Sequence, residues 1–158
     1  MNKLCIFTNS EGKLCYMRFA DQQDVAKLYP GLSRLTPEEF LDWVMKKDVP
    51  MDAVNPRLIE ESELPSQERD FRDAWKDNGA RVEVDMPKAR EIHLNRIREK
   101  RNAKLAELDV EVLKNLSKPS EVARLEQEKQ ALRDLPETIQ SQLDAATTAS
   151  ELLKIQPI

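Results

Sequence analysis

The sequence is poor in glycine, aromatic residues and histidine. Its 158 residues include three glycines, one histidine and 5% aromatic residues, whereas charged residues make up 34%. Phosphate-binding loops and dinucleotide fingerprints need closely spaced glycines, and neither motif occurs. The composition is typical of a helix-rich protein with long charged faces and argues against a sheet enzyme.

Cysteine is also scarce, with Cys5 and Cys15 as the two examples. We expect both to be free thiols on neighbouring strands. A four-residue loop at residues 9–12 would point the two sulfurs to opposite faces, and a loop one residue shorter would pair them. A zinc site needs four soft ligands, and His93 is far away in sequence. No metal and no cofactor is therefore predicted.

Long apolar runs are missing, and so is a cationic excess. No segment is long enough to cross a bilayer, and the N-terminus lacks the apolar core of a signal peptide. The net charge of -4 argues against nucleic acid as a general partner, because phosphate binding needs a cationic surface. The sequence predicts a cytosolic protein without a membrane partner.

What the sequence does contain predicts an α+β fold, beginning with a small α+β docking domain at residues 1–64. Apolar, β-favouring runs flank the turn signal at residues 9–12 and predict a β-hairpin. Thr36 is the expected N-cap of a following helix. A further strand is expected near residues 57–62.

Residues 65–158 are predicted to form an α-helical hairpin domain. Asp85 is expected to cap a helix from residue 86 to about 116, and a second arm is expected over residues 120–135. Pro136 is expected to end the second arm, with one or two short helices after it.

Leucines at helical spacing mark one face of each arm. The first stripe comprises Leu94, Ile97, Arg101, Leu105, Leu108, Val112 and Leu116, and the second comprises Val122, Leu125, Lys129 and Leu132. Short isolated helices are marginal in water, so we expect the two arms to bury these stripes against each other as an antiparallel hairpin.

Arg101 interrupts the first stripe. If the hairpin turns near Lys118, Arg101 lies beside Asp134, and a bidentate pair between them would fix the alignment of the two arms. In the alternative, the Arg101 side chain runs along the apolar face and reaches water. Leu105, Leu108 and Leu132 complete this predicted site.

Three large aromatic residues are candidate anchors. Phe71 and Trp75 are spaced to share one side of a short helical turn, and Trp43 lies on the helix capped by Thr36. Burial in a core is the ordinary role for such side chains, and pinning the chain to a partner is the alternative.

No pattern points to catalysis, and the chain is predicted not to be an enzyme. His93 has no serine or cysteine beside it in sequence, and adjacent glutamates diverge in direction. A local group of cations could bind nucleic acid, but its members spread around the helix and no aromatic residue is interleaved to stack on bases. The group comprises Lys88, Arg90, Arg96, Arg98, Lys100, Arg101 and Lys104.

The strings "LPSQERDFRDAWKDNG", "VEVDMPKAREIHLNRIREKRNAKLAELDVEVLKNL" and "EKQALRDLPETIQSQLDAATTASEL" resemble small proteins of tailed bacteriophages. These proteins are described as tail assembly chaperone-like or tail fibre-associated, and the resemblance covers residues 64–153. The pattern departs at two places. Val110 stands where the family has tryptophan, and Lys129-Gln130 stands where it has Tyr-Arg.

The resemblance implies a phage tail structural or assembly protein that acts by protein–protein binding. Its expected partners are other tail or virion proteins, with self-association as a further possibility. Its expected location is the virion tail or the host cytoplasm during assembly. The alternative is a small adaptor that binds a nucleic-acid-processing complex through the basic helix segment.

Overall fold

The computed structural model describes residues 3–156, apart from the side chains of residues 66 and 67, and confirms the α+β class. The chain divides into two compact units, Met1–Val84 and Asp85–Ile158. The predicted boundary after residue 64 is therefore wrong. Residues 65–84 belong to the first unit, because their apolar side chains complete its core.

A three-stranded antiparallel sheet lies at the centre of the first unit. Its strands are β1 (Lys3–Thr8), β2 (Leu14–Arg18) and β3 (Val54–Glu60), in the order β2-β1-β3. The consecutive residues Leu4 and Cys5 of β1 are 2% and 0% exposed. Side chains alternate between the two faces of a strand, so this central strand is covered on both faces.

The β1–β2 turn is one residue longer than expected. Phe7 pairs with Cys15, and Cys5 pairs with Met17. Because side chains alternate along a strand, Cys5 and Cys15 lie on the same face and not on opposite faces. Neither of the two expected loop lengths is found, and both cysteines are free thiols as predicted.

One face of this sheet is covered by helices. They are α1 (Gln22–Ala26), a 3-10 helix at Pro30–Arg34 and α2 (Pro37–Asp48). Thr36 caps α2 as predicted, because its hydroxyl accepts a hydrogen bond from Glu39 N and the Glu39 carboxylate accepts one from Thr36 N. Phe40 and Val44 of α2 are buried against Leu32.

The other face carries a second core cluster. A 3-10 segment, Ser66–Ala74, leads into a small hairpin of β4 (Trp75–Asp77) and β5 (Val82–Val84). Trp75 and Val82 pack with Leu4, Ile6, Ile59 and Leu64. Phe71 has non-helical backbone angles and Trp75 opens β4, so the predicted helical pairing of these two aromatics is wrong.

The second unit is helical. Its elements are α3 (Met86–Lys114), α4 (Pro119–Thr138), α5 (Gln140–Ala145) and α6 (Ala149–Lys154). Asp85 caps α3 as predicted, and its side chain accepts a hydrogen bond from Lys88 N. Pro119 opens α4 at its first position, where proline costs no helical hydrogen bond, so this helix begins one residue before the expected start.

Two details of the hairpin differ from expectation. α4 continues through Pro136 instead of ending there. α3 ends before Leu116, whose side chain is 65% exposed and lies outside the buried stripe. None of the helices in residues 3–156 is long and apolar enough to span a membrane.

Two polar contacts from α3 hold the C-terminal segment of the second unit. Arg90 Nη2 donates a hydrogen bond to Ala146 O at 2.8 Å, and His93 Nε2 donates one to Ile155 O at 2.8 Å. Leu143 and Leu152 are 1% and 0% exposed, so α5 and α6 complete the apolar core of this unit.

Candidate interaction site on the helical hairpin

The facing sides of α3 and α4 form a narrow apolar seam. Leu108 of α3 and Leu125 of α4 are buried, and Leu105 and Leu132 are half-buried. The predicted leucines therefore line the hairpin. The seam alone leaves the alignment of the helices weakly specified, because similar leucines recur at each turn.

A lysine fixes that alignment. Lys129 is 7% exposed and occupies a place in the α4 stripe where an apolar residue is expected. Its Nζ lies 2.7 Å from Asp109 Oδ1 on α3 and 2.7 Å from Glu126 Oε1 on its own helix. The first of these pairs joins the two helices at one fixed level.

Both partners of Lys129 favour its charged form. The hydrogen bond to Asp109 contributes most, and the one to Glu126 contributes next, to raising the pKa of Lys129 above its ordinary 10.5. Burial opposes this shift. The two carboxylates are 61% and 44% exposed, so their outer oxygens remain hydrated. The ammonium group is therefore charged and paired at neutral pH.

The predicted pair between Arg101 and Asp134 is not formed. In the described structure, Arg101 Nη2 donates to Asn102 Oδ1 at 2.9 Å, and Asp134 accepts from Gln130 at 2.8 Å. The Asp109–Lys129 contact centres the turn near residue 119, which places Arg101 level with residues near 137. Asp134 is therefore about one helical turn away from the position it was assigned.

The three candidate aromatic anchors differ in how exposed they are. Phe71 and Trp75 are 0% and 6% exposed and belong to the interior of the first unit, so neither can reach a partner in this structure. Trp43 is half-buried beside Tyr29, with ring centroids 5.6 Å apart, and Lys47 Nζ lies 5.4 Å from the Trp43 ring. Of the three, Trp43 alone lies near the surface.

An exposed apolar surface lies at the tip of the hairpin and was not predicted as a site. Val110, Leu113 and Leu116 are 49%, 66% and 65% exposed. Val110 and Leu113, with the exposed Ala103 and Ala106, lie on the side of α3 opposite Leu108, and Leu116 follows them in the turn after α3. We call the five exposed residues the tip stripe. The spacing of residues 103, 106, 110 and 113 carries this signal in the sequence, beside the more obvious leucine stripe.

Several cations of the basic segment of α3 contact groups within the chain. Arg98 donates to Asn95 at 3.3 Å, and Lys104 pairs with Glu107 at 3.2 Å. Arg90 is committed to the Ala146 carbonyl.

Residues 3–156 contain no group of three or more His, Cys, Asp and Glu side chains placed to hold a metal. A cavity of about 170 Å³ in the second unit is lined by His93, Ile97, Leu153 and neighbouring side chains. Burial raises the pKa of the Cys5 thiol, which keeps it protonated and poorly nucleophilic.

The fold and this site define the class of the chain: an α+β protein whose second unit is a helical hairpin bridged by an ion pair between a buried lysine and an exposed aspartate. No protein-family profile, curated protein or solved structure matches the sequence or the fold.

Proposed function

We propose that this chain is a bacteriophage tail protein or tail-assembly protein that acts by binding other proteins through its helical hairpin. The observation that carries the proposal is the Asp109–Lys129 pair, which holds two long helices in one alignment. A hairpin with a fixed alignment presents a constant outer surface, which suits a docking element.

The resemblance of residues 64–153 to phage tail-assembly proteins supplies the biological setting. The expected partners are tail or virion proteins, and the chain acts either in the finished particle or in the host cytoplasm during assembly. The exposed charges on the outer helix faces would select partners by electrostatic complementarity. Chemistry is not part of the proposed role.

Mass spectrometry of purified particles, from a phage that encodes this chain, tests the proposal first. Stoichiometric peptides would identify a virion component, and their absence would direct the search to assembly intermediates in infected cells. There, chemical cross-linking should join the hairpin to a tail protein. A chain found neither in particles nor cross-linked to any tail protein would refute the proposed function.

A further inference from the structure

We propose that the tip stripe is a self-association site, on which a second copy of this chain docks antiparallel to the first. The inference rests on the proposed function, because it names one partner of the hairpin. Three of the large apolar side chains that the structure leaves exposed, Val110, Leu113 and Leu116, lie within seven residues of one another. Such grouping on a charged helix is typical of a contact surface.

The shape of the tip stripe is complementary to itself. The small residue Ala106 and the large residue Leu113 lie on either side of Val110 in the helical part of the tip stripe. When two copies lie antiparallel about a twofold axis near Val110, Ala106 of each copy lies within about one residue of the level of Leu113 of the other. A small residue thus meets a large one on both sides of the axis, as a self-complementary interface requires.

The charges beside the tip stripe select the antiparallel direction. Glu107 and Lys114 lie on one flank, one helical repeat apart, and their side chains are 68% and 63% exposed. In the antiparallel arrangement, Glu107 of each copy lies beside Lys114 of the other, so the pair forms twice. In a parallel arrangement this flank of the two copies lies on opposite sides of the interface, so neither contact can form.

The size of the tip stripe sets the expected affinity. A stable interface buries roughly 800 Å² on each partner, and five side chains, two of them alanines, supply less than that. The dimer should therefore be reversible, with a dissociation constant on the order of 10–100 µM. Sedimentation equilibrium of the full-length chain from about 5 to 500 µM should show a monomer–dimer equilibrium.

An apolar-to-charged substitution locates the surface. Leu113→Glu should leave the chain monomeric over the whole concentration range. Leu28→Glu is the matched control, because Leu28 lies in the first unit and is 79% exposed. This variant should dimerise like the wild type. Far-UV circular dichroism should show unchanged helix content in both variants. A wild-type chain that remains monomeric, or equal dimerisation of Leu113→Glu, would overturn the inference.

A charge exchange tests the direction. Glu107→Lys and Lys114→Glu should each weaken dimerisation roughly three- to thirtyfold, since each disrupts two symmetric contacts. The double variant should recover to within about threefold of wild type. Lys104 and Glu111, the intramolecular partners of these residues, are unchanged, so the double variant restores neither of the wild-type pairs within the monomer. A double variant weaker than either single one would exclude the antiparallel arrangement.

Cross-linking provides an independent distance check. Val110→Cys should form a disulfide-linked dimer on mild oxidation, since the twofold axis passes near this position. Ala103→Cys should not, because the two copies of residue 103 would lie about 22 Å apart along the helices. Both variants retain the native cysteines, so their difference reports the new thiol alone. Dimerisation is measured on the purified chain, separately from the tail experiments. If the chain is monomeric but is found in tails, this inference alone is overturned. If it dimerises but contacts no tail protein, the proposed function alone is overturned.

Discussion

At position 129, a lysine occupies a buried place in an otherwise apolar stripe, and its ammonium group bridges Asp109 and Glu126. Removal of either member of the interhelix pair leaves the other without its cross-helix partner. The consequences of removing Asp109 and Lys129 should therefore be coupled.

The first prediction is a double-mutant cycle on this pair. Asp109→Ala and Lys129→Met should each lower the midpoint of urea unfolding, and the double variant should lose less than the sum of the two losses. Glu111→Ala is the matched control, because Glu111 pairs with Lys114 on α3 and should combine additively with Lys129→Met. Additive losses for Asp109 and Lys129 would show that the pair does not couple the helices.

The same pair predicts a response to alkaline pH. Because the pKa of Lys129 is raised on folding, its stabilising contribution is complete below its ordinary pKa of 10.5 and is lost as pH rises through the higher folded value. The melting temperature of the wild type should therefore fall more steeply above pH 10.5 than that of Lys129→Met. Parallel curves would contradict the assignment.

A second ion pair, in the first unit, predicts a response to acid. Arg57 Nη2 and Nε donate to the two carboxylate oxygens of Asp77 at 2.7 and 2.9 Å. These hydrogen bonds, helped by that from Gly79 N, lower the pKa of Asp77 below its ordinary 3.8. The stabilisation is therefore present above pH 3.8 and is lost as pH falls through the lower folded value.

Asp77→Asn should therefore flatten the acid limb of the stability curve below pH 4, and it should lower the melting temperature at pH 7. The matched control is Glu61→Gln, which breaks the more exposed pair of Glu61 with Arg18 and should have a smaller effect at pH 7. Thermal melts followed by circular dichroism between pH 2 and 7 measure both. An unchanged acid limb in Asp77→Asn would contradict the prediction.

Residue patterns in the sequence identified the apolar seam between the helices, but not the ion-pair partners of its charged residues. The stripes already contained Lys129 and Arg101 as their charged members, and Leu105, Leu108 and Leu132 do line the hairpin. Which carboxylate each cation meets depends on where the turn is centred. That centre is set by Asn115 and Pro119 at the two helix ends, and a shift of a few residues moves Asp134 away from Arg101.

At the scale of elements, the β1–β2 turn shows the same limit. Gly12 and Asn9 marked the turn correctly, and the turn backbone bonds to the Asn9 side chain, which accepts from Lys13 N at 2.9 Å. This contact adds one residue to the loop and changes the face on which Cys15 lies. A turn signal gives the position of a hairpin, whereas its register follows from hydrogen bonds that the pattern does not specify.

α4 provides a prediction at this scale, because two prolines occupy different positions in it. Pro136 lies in the interior, where it removes a backbone hydrogen bond and crowds the preceding turn. Pro136→Ala should raise the free energy of unfolding by about 1–3 kcal/mol.

Pro119→Ala is the matched control, because Pro119 lies at the first position, where no hydrogen bond is missing. It should change the free energy of unfolding by less than about 0.5 kcal/mol, or lower it slightly through the freer unfolded chain. Urea unfolding followed by circular dichroism measures both variants. A gain from Pro119→Ala as large as that from Pro136→Ala would contradict the argument.

At the scale of the whole molecule, the sequence predicted the fold class but placed the domain boundary too early. The change in composition at Pro65 is real, and it marks the end of the three-stranded sheet. It does not mark the end of the unit, because Trp75 and Val82 pack on Leu4 and Ile6 of β1. Such long-range contacts leave no local signal, since Trp75 is equally compatible with a helix or a strand.

This boundary gives the last prediction. A fragment of residues 1–84 should fold by itself, because it contains both core clusters and the Arg57–Asp77 pair. A fragment of residues 1–64 should not, because it lacks Trp75 and Val82 and exposes the apolar face of β1 to water. Circular dichroism and a cooperative thermal transition should distinguish the two. Within the longer fragment, Phe71→Ala should cost about 3–5 kcal/mol of unfolding free energy, since Phe71 is fully buried. A cooperative melt of the shorter fragment would show that the first unit folds without residues 65–84. The domain boundary would then lie after residue 64.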